Sequence, residues 1–374
     1  MASKIFMGDM PELMENILNN VKFHSIYSCA LVSRHWCKMS IPILWQNPFT
    51  YNNNPLFISQ YLLSLDENEK SESRIDQWIN LKYFNLDKPC ESLKCQIMKC
   101  LLKLFVENGA ILHKLDLYFD DYELQSEILH LFRRNERFVS QLQELSLAGI
   151  SRLNIKSECN EEFKVLMNCK NLKILRIKLE YNGSMTYASH IVHILEKSGT
   201  LLQRLKIESD GGKICGESLL LRTLKSFCPN ITYLNISCIR FSTQFKDLIC
   251  NLQKLQFLTL RYINDVLIEE EEELKTRVMQ FAKILPSTLQ YLDLRYTGLN
   301  LYIDILLNNC CAPLKNLLIN NIDNEKTTEA LIKFCIRKRT LNYVGINIKT
   351  NSHIKKEVEV YVKLVPSRHI IVSC

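Results

Sequence analysis

Apolar residues recur in one pattern over most of the chain. The pattern is Leu-x-x-Leu-x-Leu, with isoleucine or valine at some positions, and consecutive copies lie 24 to 34 residues apart. The middle residues of the clear copies are Leu115, Leu145, Leu175, Leu205, Leu234, Leu258, Leu292, Leu317 and Val344. Trp78, Leu81 and Tyr83 form a degenerate earlier copy. Repetition at this period is typical of a protein that stacks one structural unit many times.

Each copy predicts a short strand that is followed by a helix. Within Leu-x-Leu the apolar residues alternate with polar ones, as in a strand with one buried face. Between the strands, apolar residues three or four apart, such as Val278 and Phe281, predict amphipathic helices. Prolines end several of these helices just before the next strand: Pro229, Pro286 and Pro313. One such unit cannot bury its apolar face alone, so we expect the units to stack.

The residues between the buried positions of each strand are expected to point away from the helices. Arginine and aromatic residues at exposed positions carry much of the binding energy at protein interfaces. The predicted substrate-binding residues are Tyr118, Arg176, Lys178, Arg204, Lys206, Tyr233, Phe257, Arg261, Tyr291, Arg295 and Tyr343. The alternative for each of them is an ordinary solvated sheet face, whose residues simply suit a strand.

Residues 9–49 contain no copy of the repeat and predict three short helices instead. Asp9 and Pro11 suit the first turn of the first helix. Apolar stripes over 25–31 and from Ser33 onwards predict two more. About forty residues bury too little surface to be stable alone. We therefore expect a partner, or the adjacent repeats, to cover the remaining apolar surface.

This N-terminal part resembles an F-box. The residues that carry the resemblance are Met10-Pro11-Glu12-Leu13, Ile17-Leu18, Leu31-Val32-Ser33-Arg34-x-Trp36 and Leu44-Trp45. They occur in the order and at the spacing of that family, with Met10 where leucine is usual. The match covers about forty residues only, but its four separated blocks make it specific.

The repeats resemble leucine-rich repeats of the ribonuclease-inhibitor-like type. That resemblance implies an α/β repeat solenoid, a horseshoe or arc with parallel strands on its concave face and helices on its convex face. A small all-α three-helix F-box precedes it, a combination that occurs in large families of fungal proteins. The family's ladder of Asn or Cys residues after the strand is mostly missing, with Cys238 as a candidate remnant.

The two resemblances together predict the domain organisation. We expect the F-box at 1–49 and the leucine-rich-repeat domain at 75–374. The segment 50–74 joins them, with a short apolar helix at 56–65 and a charged loop at 66–73.

The F-box resemblance implies a role in a ubiquitin ligase. In that family the F-box binds a Skp-type adaptor, and through it the cullin and RING subunits. By position in the motif, the adaptor contacts are Pro11, Leu13, Ile17, Leu18, Leu31, Val32, Ser33 and Trp36. Ile17 and Trp36 could equally belong to the core of the three-helix piece. The chain would then be a substrate receptor. The alternative is a non-degradative scaffold that binds proteins but does not assemble into a cullin ligase.

Composition excludes several other classes. The net charge of +7 over 374 residues is mild, so we expect no nucleic-acid partner. The sequence contains neither an apolar run of membrane-spanning length nor a signal peptide, so we expect no membrane partner. Fifteen cysteines, without any Cys-x-x-Cys, indicate reduced thiols in the cytoplasm or nucleus. The basic residues Arg176, Arg204 and Lys206 suit an acidic or phosphorylated substrate.

No catalytic pattern is present in the sequence. It lacks a glycine-rich phosphate loop, a nucleophile elbow and a paired-histidine metal motif. His190 and His193 lie three residues apart on a predicted helix, but a packing or surface role suits them better than a shared ligand. We therefore predict a non-catalytic protein without cofactor or metal.

Overall fold

A computed structural model of the chain divides into two compact units, Met1–Cys100 and Leu101–Cys374. In the first unit the structure describes residues 17–18, 20–21, 23–30, 32, 36 and 39–40. In the second it describes 113–372, with gaps at 119–131, 134–138, 149–163, 180–185, 210–213, 215, 264–270, 323, 348–351 and 371. The predicted boundaries at 49 and 74 lie outside these residues and stay predictions.

The described residues of the first unit are mainly helical. Helix α1 covers Phe23–Ala30, and the described residues at 17–20 and 36–40 are also helical. Leu18 and Ile26 are fully buried, and Trp36 packs against them together with other partly buried apolar side chains. The helical segments lie where the sequence predicts three helices, and they surround a small apolar core.

The described strands of the second unit form one parallel sheet in which the strand order equals the chain order. The strands are β1 Lys114–Tyr118, β2 Glu144–Ala148, β3 Ile174–Leu179, β4 Arg204–Ser209, β5 Tyr233–Ser237, β6 Phe257–Arg261, β7 Tyr291–Asp293, β8 Asn316–Leu318, β9 Tyr343–Ile346 and β10 Lys363–Pro366. The nine strands predicted from the repeat are thus confirmed. Strand β10 was not predicted, because its sequence lacks the leucine pattern. The degenerate copy at 78–83 lies outside the described residues.

Helical segments connect most neighbouring strands. The α-helices are α2 Thr186–Ser198, α3 Glu217–Phe227, α4 Thr243–Asn251, α5 Glu271–Ile284, α6 Ile303–Asn309, α7 Glu325–Lys338 and α8 Ser352–Glu359. Short 3-10 helices cover Lys164–Asn168, Gly298–Tyr302 and Ser367–His369. Consecutive helices contact each other side by side. This arrangement confirms an α/β repeat fold.

The repeated leucines form the core between the sheet and the helices. Leu205, Leu234 and Leu258 are direct neighbours across β4, β5 and β6, and all three are fully buried. Val278 and Phe281 of α5 belong to the same cluster. Because the register repeats from strand to strand, each buried leucine packs against the equivalent leucines of adjacent repeats.

Side chains and backbone geometry set the starts of several helices. The Ser242 hydroxyl accepts the Phe245 N–H at 3.2 Å at the start of α4. The Asn324 side chain accepts the Thr327 N–H at 2.8 Å at the start of α7. Gly216 precedes α3 with φ 74°, a conformation that glycine adopts without strain.

Candidate functional site

Exposed apolar side chains are the main feature of the described F-box-like residues. Ile17 and Val32 are exposed, whereas the neighbouring Leu18 is completely buried. Ile17 therefore lies at the surface, and Trp36 contributes to the small core. The other predicted adaptor contacts, Pro11, Leu13, Leu31 and Ser33, lie outside the described residues. All eight stay predictions as adaptor contacts.

The second candidate site is the face of the sheet that points away from the helices, which we call the open face. Each strand contributes the residues between its buried positions. The first row runs across the strands through Arg204, Tyr233, Phe257, Tyr291, Asn316, Tyr343 and Lys363, which are register partners. The sequence-predicted residues of separate repeats are thereby brought side by side.

Tilted aromatic rings pack against one another along this row. The Tyr233 and Phe257 ring centroids are 6.2 Å apart, and those of Phe257 and Tyr291 are 5.9 Å apart. The Arg204 guanidinium carbon lies 5.2 Å from the Tyr233 ring centroid, within cation–π range. Lys363 takes a similar position over Tyr343, with its Nζ 5.9 Å from the ring centroid.

The burial of two tyrosines corrects the expectation of a fully exposed row. Tyr233 and Tyr291 are only 4% and 3% exposed, because adjacent side chains of the row cover them. Burial, aided by the Asp293 charge, raises the pKa of Tyr291 well above its ordinary value. Tyr343, at the far end of the row, remains exposed. An incoming protein could therefore reach the ends of the row more easily than its middle.

Most predicted basic residues of the open face have acidic neighbours. Arg176 Nη1 lies 3.3 Å from Glu144 Oε2. Lys206 Nζ lies 2.9 Å from Glu208 Oε2. Glu208 also faces Arg261, whose Nη1 lies 3.8 Å from Glu208 Oε1. The basic surface predicted from the sequence is therefore partly neutralised within the sheet. Lys178 is exposed, and Tyr118 lies in β1 but its side chain is outside the described ones.

Arg295 and Asp293 form the tightest ion pair of this face among the described residues. Arg295 donates from Nε and Nη2 to the two Asp293 carboxylate oxygens, at 2.9 and 2.7 Å. Its backbone N–H also donates to Asp293 Oδ1 at 3.0 Å. The side-chain hydrogen bonds to Asp293 raise the pKa of the Arg295 guanidinium above its ordinary value. Asp293 is almost completely buried, and its charge is therefore balanced locally.

Arg261 occupies the equivalent position of the preceding repeat but lacks such a pair. The register partner of Asp293 on β6 is Thr259, which has no charge. Within the described residues the Arg261 guanidinium makes no hydrogen bond, and its Nε is buried without an acceptor. Asn235 donates from Nδ2 to Glu208 Oε1 at 3.3 Å, yet its own Oδ1 is buried without a donor.

Two exposed tyrosines beside these arginines were missed by the sequence reasoning. Tyr262 and Tyr296 are 54% and 49% exposed, and their stacked ring centroids are 6.2 Å apart. Their φ angles of 49° and 60° lie in the left-handed region, which a bulky residue rarely adopts. The tripeptide Leu-Arg-Tyr occurs at both 260–262 and 294–296, a signal in the sequence that could have identified them.

His190, His193 and Cys238 stand out in the sequence, and the structure places each of them in packing or surface contacts. His190 is buried, whereas His193 is exposed and its Nδ1 lies 3.0 Å from Glu196 Oε2. Cys238 is buried and donates from Sγ to the Ser209 carbonyl at 3.4 Å, a contact between repeats. Burial raises the pKa of the Cys310 thiol to about 11, whereas Cys311 is exposed.

Neither a metal site nor a membrane span occurs in the part of the chain that the structure describes. That part has no group of three or more His, Cys, Asp or Glu residues that could hold a metal ion. None of its helices is both long enough and apolar enough to cross a membrane.

Comparisons with known proteins give a family match at the N-terminal residues and similarities to solved structures. Residues 11–51 match a family model described as F-box-like. One similar solved structure is the leucine-rich-repeat protein LegL7 from Legionella pneumophila, which is 14% identical, with 71% of this chain and 88% of that chain covered and a TM-score of 0.42. Another is the Rad7 and Elc1 complex of yeast, 15% identical, with 86% and 83% covered and a TM-score of 0.40. The search of curated proteins gives no match. The chain thus has an F-box-like domain at residues 11–51, and the α/β repeats described above follow it.

Proposed function

We propose that this chain is the substrate-receptor subunit of an SCF-type ubiquitin ligase. Its F-box-like domain binds a Skp-type adaptor, which connects the chain to the cullin and RING subunits. Its repeats bind a protein substrate through the open face. The observation that carries this proposal is the match of residues 11–51 to the F-box-like family. The ligase acts in the cytoplasm, the nucleus or both.

This role requires no catalytic residue from the chain itself. A receptor holds the substrate beside the ubiquitin-conjugating enzyme and so raises the local concentration of the acceptor lysine. The stacked repeats suit this task because neighbouring repeats pack into a continuous sheet that presents many side chains in register. We therefore assign the chain to binding and positioning.

The exposed apolar residues of the first unit support adaptor binding. Exposed side chains such as Ile17 and Val32 gain free energy when a partner removes them from water. Leu18 and Ile26, in contrast, hold the helices together. Variants of the exposed pair therefore test adaptor binding with little risk to folding.

The experiment is co-expression of the full chain with a Skp-type adaptor, followed by a pull-down. We expect the double variant Ile17→Asp, Val32→Asp to lose adaptor binding, because loss of a central apolar anchor at an interface costs about 2 kcal/mol or more. Leu301→Asp is the matched control, since it places the same charge at an exposed leucine of the repeats. It should bind the adaptor like the wild type. Circular dichroism confirms that each variant is folded.

Absence of adaptor binding by the folded wild type would refute the proposal. Adaptor binding is not sufficient, so the same pull-down includes the cullin. Co-purification of the cullin through the adaptor supports a ligase subunit. Adaptor binding without cullin would instead favour the non-degradative scaffold.

A further inference from the structure

Two neighbouring repeats carry the same arginine in different surroundings. Arg261 and Arg295 each follow a buried leucine and precede an exposed tyrosine. Arg295 is fully engaged by the Asp293 carboxylate through two side-chain hydrogen bonds. At the register position of Asp293, the preceding repeat has Thr259. Arg295 therefore shows that a carboxylate two residues earlier satisfies the hydrogen-bond donors of an arginine at this position. Arg261 lacks that carboxylate.

The hydrogen-bonding capacity of Arg261 is unused in the described structure. A guanidinium has five N–H donors, and a buried donor without an acceptor is costly. The nearest acidic group is Glu208, at 3.8 Å, and it already pairs with Lys206 at 2.9 Å. One carboxylate thus faces two cations. A second anion at Arg261 would relieve both the missing hydrogen bonds and the excess positive charge.

Asn235 gives a second, independent sign of an absent ligand. Its side chain is almost completely buried, and it binds the same Glu208 Oε1 that Arg261 faces. Its Oδ1 is an acceptor for which the described residues provide no donor. Unsatisfied buried polar atoms are rare in folded proteins. The Arg261 side chain remains 34% exposed, so an acidic side chain of a peptide can reach its guanidinium and supply an acceptor.

Charge and aromatic surface around Arg261 also suit an acidic peptide. On the open face from β4 to the turn after β7, the described residues include four basic side chains, Arg204, Lys206, Arg261 and Arg295. The described acidic side chains of that region are Glu208 and Asp293. The positive excess attracts anions. The exposed Tyr262–Tyr296 pair adds an aromatic surface beside the arginine.

We propose that Arg261 anchors a binding site for an acidic peptide segment of the protein substrate. A carboxylate of that segment takes the position at Arg261 that Asp293 has at Arg295. A neighbouring apolar or aromatic side chain of the segment packs on Tyr262 and Tyr296. The inference rests on the proposed function, because it names the kind of substrate segment that the repeats hold.

The test measures binding of a fluorescein-labelled peptide of alternating glutamate and tyrosine to the full chain by fluorescence anisotropy. The peptide with glutamine in place of glutamate is the neutral control. We expect the wild type to bind the acidic peptide at least about ten-fold more tightly, since a bidentate arginine–carboxylate pair is among the stronger hydrogen-bonded contacts. Binding should weaken as the salt concentration rises.

Two variants test whether the peptide binds at Arg261. Arg261→Gln removes the anchor, and Thr259→Asp supplies an internal carboxylate that competes with the peptide. Each should weaken acidic-peptide binding about ten-fold, the loss expected for one charge-assisted pair. The matched controls are Arg222→Gln, at an exposed arginine of α3, and Thr259→Asn, which has the size of Thr259→Asp without its charge. Both should stay close to the wild type. Should Thr259→Asp fail to fold, Arg261→Gln decides.

Equal binding of the acidic and neutral peptides, unchanged binding by Arg261→Gln, or no binding by the folded wild type would overturn the inference. Competition by inorganic phosphate alone, as strong as by unlabelled peptide, would also overturn it, since the site would then recognise an anion and not a peptide. Tighter binding of the matching phosphoserine peptide would mean that the site holds a phosphate and not a carboxylate. The adaptor pull-down on the same preparations separates the two proposals: adaptor binding without peptide binding refutes this inference alone.

Discussion

The two faces of the repeat sheet differ in composition and in what determines the burial of their residues. On the helix side, the strand residues are aliphatic and almost all fully buried, in one cluster with the helices. The open face carries aromatic, basic and acidic residues. Their exposed fraction differs widely, for example 4% for Tyr233 and 40% for Tyr343. A leucine on the helix side is buried in repeat after repeat, because neighbouring repeats place an equivalent leucine beside it. The state of a residue on the open face depends on which residue the neighbouring repeat places beside it.

Arg261 and Arg295 show that the residue two positions earlier on the same strand matters as well. They are the same residue type at equivalent positions, yet only Arg295 has a carboxylate within hydrogen-bonding distance in the described structure. The difference comes from one register position, which holds Asp293 in one repeat and Thr259 in the other. The open face is therefore a surface whose chemistry can change from repeat to repeat without disturbing the core.

The largest expected effect is on the helix side. Leu234→Ala should lower the free energy of unfolding by about 3 to 5 kcal/mol, because it leaves a cavity in a fully packed core. Urea denaturation followed by circular dichroism measures this change. Leu301→Ala is the matched control, since Leu301 is 71% exposed and its loss should cost less than about 0.5 kcal/mol. Similar losses for the two variants would contradict the packing described for the sheet.

The next largest effect concerns Asp293, a strongly buried carboxylate of the open face. Asp293→Ala should cost about 3 kcal/mol, because Arg295 loses its bidentate partner in a largely desolvated place. Urea denaturation again gives the value, and a double-mutant cycle with Arg295→Ala isolates the pair. Glu271→Ala serves as control, since its ion pair with Lys275 is solvent-exposed and worth little. A coupling energy near zero would show that Asp293 and Arg295 do not interact in solution.

The sequence predicts the helix side far better than the open face. The Leu-x-x-Leu-x-Leu period locates β1 to β9, since buried leucines need only a match between spacing and secondary structure. The same period also predicts that the substrate-binding candidates of neighbouring repeats lie side by side on the sheet. It could not predict the burial of Tyr233 and Tyr291, because that burial depends on the register between strands. Nor could it predict the pairing of Arg295 with Asp293, because that pair depends on side-chain direction. Strand β10 was missed because Lys363–Pro366 offers only a short apolar pair.

Buried thiols provide a pH-dependent test of the helix side. Burial raises the pKa of the Cys228 thiol from 9.0 to about 12, so the folded state keeps its proton when the unfolded state has lost it. The stability contributed by the neutral thiol is complete below pH 9 and is lost as the pH rises towards 12.

Between pH 8 and 10, Cys228→Ala should therefore lose about 1 kcal/mol less of its free energy of unfolding than the wild type does. Urea denaturation at the two pH values measures the difference. Cys250→Ala, at an exposed cysteine, should retain the wild-type pH dependence. Equal pH dependence of all three proteins would show that the Cys228 thiol is not protected by burial.

The smallest expected effect concerns the two arginines, Arg261 and Arg295. Arg261→Gln should change the free energy of unfolding by less than about 0.5 kcal/mol, because the guanidinium makes no hydrogen bond in the described structure and its loss also removes an unsatisfied buried donor. Arg295→Gln, the same substitution one repeat later, should cost about 2 kcal/mol or more, since it leaves Asp293 buried without its cation. Urea denaturation of the two variants side by side gives the comparison. Equal losses would mean that Arg261 is a structural residue, and a neutral Arg261→Gln means that its charge is available for a ligand.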